Sequence, residues 1–313
     1  MENNGPEQRQ AHACYARVPD TAILQPAAAN SEKKSSMNES DPGQWPEVAL
    51  IWSQIGPPLR PDERDLEIIT AFLHEHFTRV PTRPLSILIL GVTPELYHLP
   101  WPDGSTVRAI DRTQAMIDHV WPGPRQAATH ASWLDMPFKP SSMDLVLCDG
   151  GLHLLNYPQQ QQDLVYRLAE IIKPDGYCAF RLFTPPVDKE SVESVLTDLR
   201  TGAIPNLNHL KLRLGAALQE DSGRGVGLNE VWQTLHDAEP DLERLACTLG
   251  WESGHIHAID AYKSNSARYY FVTADEALEL FCGARAGAFE VCRIEYPDYP
   301  MGELCPTIIF RRR

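Results

Sequence analysis

No two of the seven cysteines in this sequence stand at C-x-x-C spacing, and their number is odd. Neither a disulfide framework nor a zinc site is indicated, and no metal is expected. No apolar run reaches the roughly 18–20 residues that a membrane span requires, so no membrane partner is expected. The start of the chain lacks a basic stretch followed by an apolar one, so it does not read as a secretory signal. The expected compartment is the cytoplasm. Positive charge is scarce: 28 Lys and Arg against 42 Asp and Glu leave a formal net charge of −14. A surface of that sign repels a phosphate backbone, which argues against a nucleic-acid partner. The only basic cluster, Arg311-Arg312-Arg313, is too short to make a patch. What remains is an ordinary globular composition, 43% hydrophobic and 22% charged, over 313 residues. That length suits one large domain or a domain carrying an insertion.

Residues 1–43 are rich in Asn, Gln, Ser, Glu and Ala without a sustained period, and read as a disordered tail. Order is expected from about Trp45. Pro61-Asp62-Glu63-Arg64-Asp65 has the composition of a helix start, and Leu66, Ile69, Phe72, Leu73 and Phe77 continue at helical spacing. This helix should end before Pro81 or Pro84. The next hundred residues alternate in type. Leu85 to Leu90, Val107 to Ile110, Met143 to Cys148 and Tyr177 to Phe183 are apolar runs that suit buried parallel strands. Thr113 to Val120 and Gln159 to Ile172 have helical spacing between them, and Lys173-Pro174-Asp175-Gly176 reads as a tight turn. This rhythm predicts a doubly wound α/β sheet.

After Pro185-Pro186 the pattern turns helical, around 188–200, 206–219 and 228–249. Sheet rhythm returns with a helix at 274–284 and two strands, Phe289 to Tyr296 and Thr307 to Arg311, expected as an antiparallel hairpin. The expected domains are a core at 44–184, a mainly helical insertion at 185–270, and a completion of the core at 271–313.

Several residues stand at strand ends, where ligands of such sheets bind. The first strand, Ile87 to Leu90, runs into Gly91-Val92-Thr93-Pro94-Glu95-Leu96. The second ends at Asp111-Arg112, with Asp111 twenty residues after Gly91. Ser132-Trp133-Leu134-Asp135-Met136-Pro137-Phe138 leads to a strand that opens Met143-Asp144 and ends at Asp149-Gly150-Gly151. In order and spacing, these pieces and the terminal hairpin resemble the class I S-adenosylmethionine-dependent methyltransferases of the small-molecule type. The resemblance covers roughly 84–184 and the hairpin. It implies a seven-stranded Rossmann-like sheet and S-adenosylmethionine as co-substrate.

The resemblance also implies site residues. Asp111 would accept the ribose hydroxyls; alternatively it caps the helix near Thr113. Gly91 would let the backbone approach the methionine end, and Ser132 and Trp133 would lie at the adenine, unless Trp133 is a core residue. The family's glycine-rich turn is altered here. Ile89 replaces its acid, and Thr93 and Glu95 replace later glycines, so only Gly91 is left. Glu95 either takes over the missing acid's role or begins a short helix. Asp135 can stand in for the acid absent at Ser132. The segment Trp52 to Pro61 is proline-rich, and Arg60 within it either pairs with a ligand carboxylate or is a solvated linker residue.

Methyl transfer is expected at the end of the fourth strand, where Asp149 and Gly150 would meet the co-substrate. His153 is the candidate base, or else a satisfied helix histidine. Tyr157 follows near the same rim. Alternating His255 and His257, with Asp260, raise a metal reading if they lie on a strand, but no further ligand accompanies them. The expected function is methylation of a small-molecule acceptor on N or O, in secondary metabolism, with the insertion as lid and acceptor pocket. The competing readings are a catalytically degenerate S-adenosylmethionine- or S-adenosylhomocysteine-binding regulatory or partner protein, and a different nucleotide enzyme such as a dehydrogenase. The last is weakened by the lack of G-x-G-x-x-G. Acceptor identity and oligomeric state are not legible in the sequence.

Overall fold

The computed structural model describes residues 43–77, 83–252, 254–283 and 287–313. The expected tail at 1–43 lies outside the described residues but for Gly43, as does the end of the first long helix beyond Phe77. The elements run in this order: α1 (Trp45–Leu50), α2 (Glu63–Phe77), β1 (Ser86–Leu90), α3 (Pro94–Tyr97), β2 (Thr106–Asp111), α4 (Gln114–His119), β3 (Ala128–His130), β4 (Met143–Asp149), α5 (Gln159–Ile171) and β5 (Ile172–Arg181). Then follow α6 (Val192–Arg200), α7 (Leu207–Leu218), β6 (Val226–Gly227), α8 (Leu228–Ala238), α9 (Leu242–Leu249), β7 (Arg268–Tyr269), α10 (Ala274–Cys282), β8 (Phe289–Glu295) and β9 (Thr307–Arg312).

Seven strands form one sheet in the order β3-β2-β1-β4-β5-β9-β8. The first five are parallel, and β9 runs antiparallel between β5 and β8. The terminal hairpin therefore inserts its second strand into the sheet and leaves its first at the edge. Strand order reverses between β1 and β4, which makes their carboxyl ends the expected ligand crevice.

Continuous apolar strands are explained by burial on both faces. Leu88, Leu90, Val146, Cys148, Cys178 and Phe180 pack under α5 and α10. Their alternating neighbours Ile87, Ile89, Leu145, Leu147 and Ala179 pack under α2 and α4. Each strand thus divides its side chains between two layers of helix, as the period of two requires. The helical region has its own apolar cluster, from Val195 in α6 to Ala258 and Tyr262 in the 3₁₀ helix His255–Tyr262. That cluster also takes in Val48, Ile55 and Phe183.

Some local expectations need correction. The three residues of β3 are too short and too polar to register as a strand. The helix expected at 228–249 is two helices. Pro240 disfavours helical backbone at Glu239, and the Asp241 side chain caps the next helix by accepting from Arg244 N–H at 2.9 Å. Lys173 to Gly176, expected as a free-standing turn, lies within β5, where Asp175 takes φ +61° and the register against β4 shifts. His255 and His257 lie on a 3₁₀ helix rather than a strand. There they face Glu252 and Glu243 respectively.

Phe180 is fully buried at the centre of the sheet, edge-on to Phe281 with centroids 5.1 Å apart. Phe180→Ala should cost about 3–5 kcal/mol, read from the urea midpoint at an unchanged transition slope.

Candidate active site

The crevice at the strand ends is built from short turns. Gly91 continues β1 with φ +87°, a conformation that favours glycine, and donates its N–H to Ile110 O at 2.8 Å. Thr93 is buried and starts α3, which carries Glu95 in its first turn. Asp111 ends β2. Its Oδ1 accepts from Thr113 N–H at 2.7 Å, while Oδ2 lies 3.9 Å from where a Cβ on Gly91 would stand. Thr113, not Asp111, is the N-cap of α4. One carboxylate oxygen therefore shapes the local turn, and the other faces Gly91. Burial raises the Asp111 carboxyl to about 6, against the hydrogen bond from Thr113.

Arg60 and Glu95 come together as an ion pair, with Arg60 Nε donating to Glu95 Oε1 at 2.8 Å. Arg60 Nη1 donates to the carbonyls of Trp52 and Ile55 at 3.3 and 3.1 Å, and the guanidinium lies over the Trp52 ring, 4.9 Å from its centroid. Arg60 is thus neither a solvated linker residue nor free for a ligand: its nitrogens hold Glu95 and the segment before α2. Glu95 Oε2 and Trp52 Nε1 are buried without hydrogen-bond partners.

Asp149, expected to hold the co-substrate, is already bound. Arg181 at the end of β5 donates from Nε to Asp149 Oδ1 at 2.5 Å. Arg181 Nη1 also donates to Pro58 O at 2.9 Å and lies 3.6 Å from Asp65 Oδ2. Tyr299 donates to Asp65, 3.1 Å from either oxygen. Burial raises the Asp65 and Asp149 carboxyls and Arg181 opposes this; the two acids in turn raise Arg181.

The glycines after β4 were expected to admit a ligand, but aromatic rings take that space. A Cβ on Gly150 would stand 2.7 Å from the Phe183 ring. One on Gly151 would stand 2.7 Å from Trp133, whose ring also lies 3.6 Å from a Cβ on Gly91. Trp133 is anchored by its Nε1–H, which donates to Ile110 O at 2.9 Å. Ser132 is exposed and accepts from Leu134 N–H at 3.2 Å. Asp135 is likewise exposed. Arg112 is exposed too, and its carbonyl accepts from His130.

His153 does not sit on an open rim. It is 6% exposed, stacked on Phe271 at 5.3 Å between centroids and edge-on to Tyr269 at 4.5 Å. Burial lowers it to about 3, so the ring is neutral at physiological pH and a weak base. Tyr157 does not join it: that ring packs against the α5–α10 layer, near Glu276 and Glu279. Sequence reasoning missed Arg181, Asp65 and Tyr299. An arginine inside the apolar run Tyr177 to Phe183 was the available signal, since a charge there must find a buried partner. Among the described residues, no group of three or more His, Cys, Asp or Glu could hold a metal ion.

The raised Asp111 pKa makes a sign-specific prediction. Between its ordinary value near 4 and its folded value near 6, the native state holds the extra proton. Its contribution to stability is therefore lost as pH rises through 6. Asp111→Asn should gain on the parent by about 1–3 kcal/mol on going from pH 4 to pH 7, measured by urea unfolding at both.

Residues 88–180 match a family model described as a methyltransferase domain. No curated protein matches the chain. Among solved structures, a chain described as a Zn-dependent alcohol dehydrogenase from Rhodobacter sphaeroides aligns with TM-score 0.51 and 15% identity, covering 87% of this chain and 98% of that one. At that identity the likeness speaks for the fold alone. The 1,6-didemethyltoxoflavin-N1-methyltransferase of Burkholderia thailandensis aligns at TM-score 0.47 and 15% identity, over 93% of each chain. N-methyltransferase NodS from Bradyrhizobium japonicum aligns at 0.43 and 10%, over 85% of this chain and 98% of that one. The methyltransferase-domain match at 88–180 falls on the parallel strands β1 to β5, beside which the antiparallel strand β9 is inserted.

Proposed function

We propose that this enzyme methylates a small-molecule acceptor, on nitrogen or oxygen, at the carboxyl ends of β1 and β4, with residues 185–270 as lid and acceptor pocket. The observation that carries this reading is Glu95 Oε2, an acid oxygen buried without a partner, near the strand ends where Asp111 Oδ2 faces Gly91. Their chemistry fits the two ends of S-adenosylmethionine. Asp111 accepts from ribose hydroxyls. Glu95 accepts from the amino group of the methionine end, in place of the family's missing acid. Trp52 Nε1 is a donor for the carboxylate at that same end, and Arg60 positions both residues. Thr93 contributes backbone beside Gly91, while Ser132 and Arg112 stand at the solvent edge of the adenine side.

The co-substrate supplies a methyl group on a sulfonium, which transfers in line to a nucleophile. The chain's task is alignment and exclusion of water, and Arg181 serves it by fixing Asp149 at the floor of the crevice. Asp149 is then a positioning residue. His153, neutral and enclosed, hydrogen-bonds an acceptor better than it removes a proton.

One observation favours a second reading, a binding partner without turnover. The Trp133 ring lies over both Gly91 and Gly151, in the crevice a ligand would share. Calorimetry with S-adenosylmethionine, S-adenosylhomocysteine and NAD, together with a labelled-methyl screen over host extract, separates the readings. Binding of the first two with a labelled product supports the enzyme. Binding without any product favours the partner, and binding of NAD alone refutes both. Asp111→Ala should weaken S-adenosylhomocysteine binding by about ten- to a hundredfold, the worth of a charge-assisted hydrogen bond. Unchanged affinity would mean that Asp111 does not hold the ribose.

A further inference from the structure

The loop after β3 brings one large side chain to the place where the strand ends meet. Its backbone is fastened to the core. Ala131 N–H donates to Asp111 O at 3.1 Å, and Arg167 in α5 donates from Nε to Leu134 O at 3.1 Å. Leu134, Met136 and Phe138 pack into the apolar layer under α5 and α10. Between these fastenings the half-buried Trp133 turns inward, while its neighbour Ser132 is exposed.

Trp133 Nε1–H donates to Ile110 O at 2.9 Å, and the same carbonyl accepts from Gly91 N–H at 2.8 Å. A carbonyl oxygen has two lone pairs, and here one holds the turn after β1 and the other holds the indole. The ring reaches from Gly91 to Gly151. Cβ atoms on these glycines would stand 3.6 Å from Cζ2 and 2.7 Å from Cη2. The same point beside Gly91 is 3.9 Å from Asp111 Oδ2. The indole therefore spans the ends of β1 and β4 and shares its space with the oxygen that faces Gly91. Glycines at both ends open room for a close approach, and the chain fills that room with its own ring.

An aromatic ring in this place is either a surface on which a ligand's base stacks or a group standing where the ligand belongs. Contact favours the second. No layer of ligand fits between the ring and Gly151, so a ligand that approaches that backbone meets the indole first. We infer that Trp133 is an autoinhibitory plug, whose indole occupies ground that the co-substrate takes, so that binding exchanges the ring for the ligand. The exchange costs the ring's packing and its hydrogen bond to Ile110 O. The crevice therefore binds more weakly than its acid oxygens alone would allow. Release takes the rotation of one side chain at a solvent edge and leaves the fastened loop and the helical region in place. The inference rests on the methyltransferase reading, since the ligand excluded is that reading's co-substrate.

Calorimetry with S-adenosylhomocysteine on the full-length parent, Trp133→Ala and Trp133→Phe reads the sign of the effect. Removal of a stacking surface weakens a ligand, whereas removal of a plug strengthens it. Trp133→Ala should bind at least about tenfold more tightly than the parent, the worth of the hydrogen bond that no longer has to be broken. Trp133→Phe, with a smaller ring and no N–H, should fall between the two. Thermal unfolding without ligand checks each fold, and Trp133→Phe decides if the alanine chain does not fold. Binding by a variant alone supports the plug. Affinity in the deciding variant equal to or below the parent's overturns the plug and leaves the methyltransferase reading standing. Absence of binding in the parent and both variants overturns both.

Discussion

One buried guanidinium organises the functional end of this molecule. Arg181 stands at the last position of β5, 4% exposed, and joins four parts of the chain. It binds Asp149 at the end of β4, Asp65 in α2, the Pro58 carbonyl of the segment before α2, and the Tyr299 hydroxyl between β8 and β9. Two carboxylates share one cation in a site that water barely reaches. Such an arrangement is held by geometry rather than by surplus energy, because desolvation consumes most of the Coulombic gain. Its effect is positional: elements distant in sequence are fixed around the point where the strand order reverses.

The altered glycine turn is intelligible beside that frame. The glycine-rich turn of the methyltransferases that the sequence resembles has several glycines, whereas this chain has one, Gly91, and side chains at Thr93 and Glu95. Arg60 holds Glu95, and Glu95 keeps one oxygen unpartnered in the crevice. At the glycines after β4, the rings of Phe183 and Trp133 lie against Gly150 and Gly151.

Two buried cations, Arg181 and Lys211, stand in opposite circumstances. Arg181 has two acids and a rigid fork that suits them. Lys211 has a carbonyl and an aromatic face. The first closes a structural junction, and the second is a charge that the described residues answer only with a carbonyl and an aromatic ring.

The sequence by itself determined the architecture. Continuous apolar strands, alternating helices and a terminal hairpin are local patterns, and each leaves its mark within ten residues. The meeting of Gly91 and Asp111 at neighbouring strand ends was legible for the same reason, since their spacing follows from one strand, one crossover and the next strand. β3 escaped because three residues carry no period, and the break at Glu239-Pro240 was absorbed into the surrounding helical spacing. The partners of polar groups were decided only in three dimensions. Nothing near Asp149 announces Arg181, thirty-two residues on, and nothing near Arg60 announces Glu95. His153 reads in sequence as a candidate base or a satisfied helix histidine, and its enclosure is visible only in the fold. Desolvation acts on whatever the fold encloses, and enclosure is set by elements far away in the chain.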